Sequence, residues 1–401
     1  MRQMKDSGIE WIGKIPEDWA IERMKSLFTE RNERDCKGRT LLSVSQFWGI
    51  RPKSETDIAD SHIAESYDDY KEVYQGDFVM NIMLAWNGSY AVSEYDGMVS
   101  PAYCVFKFRK DCCKKYFHYL LRTNGYPTAF KTMSRGVIDS RLRLYPEQFY
   151  TFPIIIPSID EQQRIADYLD KKCGEIDSLI ALQEQMIEKL KAYKQSVIIE
   201  AVTKGLDPNA KLVPSGIDWI GEIPEGWKVC RIKDLVIMKS GSNLTSEQIA
   251  NEGSYPVYGG NGLRGYYEAY SNEGDYVLVG RQGALCGNIN YAFGRFWATD
   301  HAVVCYPRRN FSLIWFGETL RSMNLGQYSL SAAQPGLSVD RIREKKMPLP
   351  PLSEQQTIAS YLDEKCADID RLIALKQQKI ESLKDYKKSV IYEAVTGKTE
   401  I

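Results

Sequence analysis

The sequence predicts a mixed α/β protein of the α+β type. Two mixed α/β heads are separated by two long antiparallel coiled-coil helices, and a pseudo-two-fold internal repeat relates the halves. Three observations carry this. Residues 160–204 (DEQQRIADYLDKKCGEIDSLIALQEQMIEKLKAYKQSVIIEAVTK) recur without a gap at 353–397 (SEQQTIASYLDEKCADIDRLIALKQQKIESLKDYKKSVIYEAVTG), with roughly two thirds of positions identical. Apolar residues in both copies return at alternating steps of three and four, as in a coiled-coil seam. A shorter repeat opens each half: SGIEWIGKIPEDWAIERMK at 7–25 and SGIDWIGEIPEGWKVCRIK at 215–233.

The boundaries follow from these repeats. Residues 1–157 hold the opening motif and first head, and 158–205 the first long helix. Residues 206–351 hold a linker (within the Gly/Pro-punctuated connector GLDPNAKLVP at 205–214), the repeated motif and the second head, and 352–401 the second long helix. The Trp11/Trp19 and Trp219/Trp227 pairs read as docking anchors that bury a large area. Between motif and helix the heads diverge in sequence. GDFV at 76–79 and GDYV at 274–277 mark the same turn into a strand. Each head leads into its helix through a Pro-flanked apolar strand, PIIIP at 153–157 and MPLPP at 347–351. Short strands and turns make each head a compact α/β unit with exposed loops.

Asp160 and Ser353 are the expected N-caps, with Gln163 and Gln356 as capping-box partners; Gly205 and Gly397 stop the helices. Each rod is then about 65 Å long at 1.5 Å per residue. The first seam runs through Ala166, Leu169, Cys173, Ile176, Ile180, Gln183, Ile187, Leu190, Lys194, Val197 and Ala201. The second repeats it, and Gln183/Lys376 and Lys194/Lys387 break both seams at the same depths, a device that fixes register and orientation. A second stripe comprises Ile165, Tyr168, Leu179, Leu182, Met186 and Tyr193, with counterparts Ile358, Tyr361, Leu372, Leu375 and Tyr386. It widens the apolar face beyond one partner helix. Either the heads or another subunit cover it.

At 401 residues the chain exceeds one ordinary core. No apolar run is long enough for a membrane span, and MRQMKDSGIEW is no signal peptide. Nine cysteines show no CxxC pair or zinc spacing, which suggests reduced thiols in the cytoplasm and no structural metal. Net charge is −1, and residues 1–157 and 206–351 each carry about +1, a slight local excess that permits phosphate contact.

The chain carries little that points to catalytic chemistry. Residues 260–265 (GNGLRG) match GxGxxG but open no obvious helix and sit in no clear βαβ unit, which argues against a dinucleotide. There is no P-loop and no amino-methylation motif, and Asp363-Glu364-Lys365 lies on a rod. His62, His118 and His301 are isolated, and each reads as structural or surface. The chain reads as non-catalytic.

What remains are loops with groove-reading chemistry. The first head offers Gln46, Trp48, Arg51 and Lys53, then Asn81, Trp86, Asn87 and Ser89, then Arg135, Arg141 and Arg143. The second offers Tyr258, Asn261, Arg264, Arg281, Gln282, Asn288 and Gln334. Arg reads guanine edges, Asn or Gln reads adenine, and Lys, Ser and backbone N–H groups hold phosphate. Trp86 and Tyr258 also suit a core.

Taken together, these features resemble a specificity subunit of a type I restriction–modification system. The resemblance covers nearly the whole chain. It rests on SGIEWIGKIPEDW and SGIDWIGEIPEGW, on AAQPGLSVDRIREKKMPLPPLSEQQTIASYLD and IIIPSIDEQQRIADYLD, and on the duplicated rods. YPVYGGNGLRGYY with GRQGALCGNINY resembles one kind of target recognition domain, and NGSYAVSEYDGMVSPAYCVF another. The resemblance implies two target recognition domains, each reading half of a bipartite site in double-stranded DNA. The helices would set the spacer and dock two methyltransferase subunits through Ile165, Tyr168, Leu179, Leu182, Tyr193, Ile358, Tyr361, Leu372, Leu375 and Tyr386. Restriction subunits with motor and nuclease activity would complete the complex. S-adenosylmethionine, ATP and Mg are expected on those partners, and no cofactor on this chain. The alternatives are a non-catalytic assembly scaffold with two unlike heads, or an enzyme whose only handle is the GxGxxG loop.

Overall fold

A computed structural model describes residues 2–34, 38–56, 67–283, 285–329 and 336–401. The chain divides into two compact units, residues 1–183 with 378–401, and residues 184–377. Both long helices therefore contribute one half to each unit. The first spans Ile159–Lys204 and the second Leu352–Val395.

The helix starts differ from the capping expected. Ser158, not Asp160, caps the first helix: its Oγ accepts from Glu161 N at 3.3 Å, and its carbonyl from Gln162 N at 2.9 Å. The next residue, Ile159, is already helical, so Asp160 lies inside the first turn, where its charge suits the helix dipole. In the second helix Ser353 is likewise internal, and the Pro351 carbonyl accepts from Gln355 N. Gln163 is no capping-box partner; its amide donates to Asp167 instead. The expected ends hold: Gly205 and Gly397 take φ of +74° and +70°, conformations that glycine adopts without a Cβ penalty.

Within each unit the helix halves run antiparallel. Lys387 meets Asp177 in the first unit, and Lys194 meets Asp370 in the second, all at 2.7 Å. Asp370 is the repeat counterpart of Asp177, and Lys387 that of Lys194. Seam residues Ala166, Leu169, Cys173 and Ile176 are buried in the first unit, and Ile187, Val197 and Ala201 in the second.

The heads share a sheet that their sequences do not announce. In the first, β1 (Phe28–Arg31), β2 (Phe78–Asn81), β3 (Tyr90–Val92) and β4 (Tyr103–Phe108) pair in the order β1-β4-β2-β3, all antiparallel. In the second, β5 (Val236–Ser240), β6 (Tyr276–Gly280), β7 (Ile289–Ala292) and β8 (Ala302–Pro307) pair as β5-β8-β6-β7. The shared Gly-Asp turn enters β2 and β6, as its recurrence predicts. Helices follow each sheet: Lys114–Leu121 and Gly125–Met133 in the first head, Leu313–Ser322 in the second.

The heads differ around this common sheet. The first adds a hairpin, Leu42–Ser45 with Gly49–Pro52. The second adds a four-stranded sheet built on the hairpin Tyr255–Gly259/Gly262–Tyr267.

One anchor recurs in both units. Trp19, 1% exposed, donates through Nε1 to Glu161 at 2.9 Å, and Trp227, 9% exposed, donates to Glu354 at 3.0 Å. Burying these indoles accounts for the Trp-containing opening motif in each half. The second residue of each helix's Glu-Gln pair ties the helix to its head. Gln162 holds the Pro157 carbonyl and accepts from Cys113 N, and Gln355 holds the Pro350 carbonyl and accepts from Ser312 N.

Candidate nucleic-acid interface

In the first head three loops converge on helix Gly125–Met133. The turn at 46–48 carries exposed Gln46 and Trp48. A Cβ added at Gly88 would lie 3.8 Å from both Gln46 Cβ and Pro127 Cγ, so this turn, the 84–89 loop and the helix adjoin. Arg122 stitches them, donating to the carbonyls of Gln46 and Tyr90. Lys131 stands 5.0 Å from the Trp86 ring centroid and pairs with Asp139 at 2.8 Å, which ties in the 134–141 loop. Arg135 and Arg141 are exposed on that loop. Arg51 is exposed on the hairpin, with Lys53 half-buried beyond it.

Several expected contact residues serve the loops instead. Asn81 is 4% exposed, and its Oδ1 accepts from Met83 N at 3.0 Å. Ser89, 3% exposed, donates to Asn87. Buried side chains with local partners shape a loop and do not reach a groove, so Asn81 and Ser89 leave the list of DNA contacts as positioning groups. Trp86 is half-buried and bonded to the Met83 carbonyl. Arg143 is half-buried and its backbone pairs with that of Arg135, which closes the 135–143 loop.

The sequence reading missed Phe47. It is 78% exposed, and its ring lies 6.4 Å from that of Trp48. Aromatic rings held in solvent offer a stacking surface to unstacked bases. Its signal was its place between two residues already singled out.

In the second head the structure brings together Tyr258, Asn261, Arg264, Arg281, Gln282 and Asn288. The GNGLRG stretch is the tip and second strand of a β-hairpin, not a strand-to-helix turn, so it offers no helix N-terminus to a pyrophosphate. Its glycines let backbones touch. A Cβ at Gly280 would overlap the Gly260 carbonyl, and one at Gly260 would lie 3.2 Å from the carbonyls of Gln282 and His301. Gly262, at φ +96°, would set a Cβ 2.9 Å from Asn290 Oδ1. Asn261 and Arg264 are exposed, and Asn288 and Arg281 half-buried. Arg264 reaches Ser246 at 3.4 Å and Arg281 reaches Ser240 at 3.1 Å. Tyr258 packs edge-on against Phe296, and burial raises its hydroxyl above the usual range, so it stays neutral. Gln334 lies outside the described residues, as does His62.

The apolar stripe on the long helices divides. Ile165 is 2% exposed and Ile358 0%, each in the core of its own unit. Their side chains are packed inside the unit. The heads cover the stripe near each helix start, which is where Tyr168 and Tyr361 are half-buried too. Farther along it stays open: Leu179, Leu182 and Tyr386 in the first unit, and Met186, Tyr193, Leu372 and Leu375 in the second, are 37–56% exposed.

Comparison with known proteins now decides the family. The sequence model of the type I restriction modification DNA specificity domain matches twice, at residues 16–192 and 224–385. The chain belongs to this family. The two specificity-domain matches each take in a head and most of the long helix that follows it. A specificity subunit of the Escherichia coli enzyme EcoprrI is 40% identical over 134 residues, which are 32% of this chain and 33% of that one. The MjaVIII specificity subunit of Methanocaldococcus jannaschii is 22% identical over 97% of this chain and 94% of its own. Two solved structures share the specificity-subunit fold. A chain from a structure of complex assembly and conformational transition in the type I R-M system superposes with a TM-score of 0.73. It is 18% identical and covers 96% of this chain and 99% of its own. The HsdS subunit of Thermoanaerobacter tengcongensis gives 0.54 at 17% identity, covering 96% and 98%. Among the described residues no helix is long and apolar enough to cross a membrane.

Proposed function

We propose that each head reads one half of a bipartite site in double-stranded DNA, and that the chain itself performs no catalysis. The observation that carries this is the common four-stranded sheet dressed with unlike loops. A shared scaffold presenting different Arg-, Asn- and aromatic-bearing loops suits two different half-sites. The long helices set the spacer between half-sites. Their exposed stripe, Leu179, Leu182 and Tyr386 with Tyr193, Leu372 and Leu375, docks two methyltransferase subunits. Those subunits bring S-adenosylmethionine and methylate adenine, and restriction subunits bring ATP- and Mg-dependent translocation and cleavage. This chain holds no cofactor of its own.

Co-purification with its methyltransferase tests the docking. The expected result is a stable complex with two methyltransferase copies, lost when Leu182 and Leu375 are both changed to Asp. The assembled complex binds its target duplex tightly, with affinity falling steeply with salt, and the isolated chain binds weakly. Tight sequence-specific binding by the isolated chain would contradict this.

A further inference from the structure

Two loops of the second head meet through one side-chain bond. Asn288 donates through Nδ2 to Oδ1 of Asn261 at 3.0 Å. Asn261 is exposed on the turn between strands Tyr255–Gly259 and Gly262–Tyr267, and Asn288 stands just before β7. A side-chain amide carries an N–H₂ donor group and a carbonyl acceptor. This bond engages the donor of one residue and the acceptor of the other. Nδ2 of Asn261 and Oδ1 of Asn288 have no partner among the described residues.

The pair is held in place. The carbonyl of Gly260 sits where a Cβ at Gly280 would be, and Gly262 leaves room for the Asn290 amide. Gly280 N donates to the Asn288 carbonyl at 2.8 Å, and Gly287 N to the Gly280 carbonyl at 2.7 Å. Arg264 and Arg281 add positive charge in the same loops.

In the major groove adenine shows an acceptor, N7, beside a donor, the N6 amino group; guanine shows two acceptors. One donor and one acceptor match adenine. A single asparagine ordinarily meets adenine with both its functions; here one N–H of Asn288 and one lone pair of Asn261 are already engaged with each other, which leaves Nδ2 of Asn261 and Oδ1 of Asn288 as the wholly unengaged donor and acceptor of the pair. We infer that Asn261 and Asn288 form one composite reader of an adenine in the half-site of the second head. Nδ2 of Asn261 donates to N7, and Oδ1 of Asn288 accepts from the N6 amino group. The inference rests on the DNA-reading role proposed above.

Base analogues test it on the chain assembled with its methyltransferase. Each adenine in the second half-site is replaced in turn by 7-deazaadenine, which lacks the N7 acceptor, or by purine, which lacks the amino group. At one adenine both analogues weaken binding about tenfold or more. Against Asn261→Ala or Asn288→Ala complexes neither analogue costs anything further there, and the double variant is no weaker than either single one. Retained recognition of the first half-site shows that the variants fold; if they do not assemble, the analogues on the natural chain decide. Analogues that cost nothing at every adenine, or single losses that multiply in the double variant, overturn the composite reader. A natural complex that prefers no duplex overturns the DNA-reading role itself.

Discussion

Lys194 Nζ stands 2.7 Å from both carboxylate oxygens of Asp370, joining the two long helices across the middle of an apolar seam. Lys387 holds Asp177 in the same way. Each lysine occupies a seam position, and each aspartate lies on the partner helix beside it. The two lysine breaks are thus satisfied reciprocally, and an antiparallel register follows from them.

These side chains are solvent-accessible, 29% for Lys194 and 58% for Asp370, so the pair contributes little to stability. Lys194→Ala should cost about 1 kcal/mol or less. Lys194→Asp should cost more, since it sets like charges together, and Asp370→Lys in the same chain should restore most of the loss. Thermal unfolding of the three variants measures this. Failure of the second change to rescue the first would show that the pair does not act as a pair.

Trp19→Phe removes the donor to Glu161, a carboxylate only 7% exposed. A bond to a charged group is worth about 1.5–3 kcal/mol, and Arg2 remains as a second partner, so a loss of about 2 kcal/mol is expected. Trp227→Phe should cost less, because Glu354 is more exposed. Chemical denaturation of both variants gives the comparison.

Gly280→Ala forces a Cβ onto the Gly260 carbonyl. Overpacking of this kind costs about 1–3 kcal/mol. Its functional effect should be local. Recognition of the second half-site should be lost while the first is kept, as read by methylation of plasmids carrying each half mutated.

His118 gives a pH dependence. Burial, helped by the charges of Arg122 and Lys115, pushes its imidazole from the usual 6.5 down to about 3. The unfolded chain therefore binds a proton that the folded chain refuses between those values. The stability from this group is complete above about pH 6.5 and falls as the pH drops toward 3. His118→Gln should lose less stability than the natural chain between ~pH 7.5 and ~pH 5, measured by urea midpoints.

The rods were legible because a period of three and four over more than forty residues leaves few alternatives, and because the second copy repeats it. Their first turns were not, since Ser158 caps one residue before an isoleucine that hydropathy assigns to neither side. The shared sheet was invisible. β2 and β6 agree in a Gly-Asp turn and a short apolar run, but many side chains pack equally well on a pleated face, so the same topology leaves few common residues. The reading loops were legible as regions, not as residues. Asn81 and Asn261 look alike in sequence, yet one is spent on a turn and the other stands in solvent. Ile165 and Leu179 share a stripe, and only the position of the head decides that the first is core and the second open.

Methylome sequencing tests the central claim most directly. Cells express the chain with its methyltransferase, and a parallel culture expresses a chain whose residues 234–351 come from another family member. The expected result is a bipartite methyladenine motif whose one half changes with the swap while the other half and its sequence stay fixed. A stable complex that writes no motif, or a swap that alters both halves together, would contradict it.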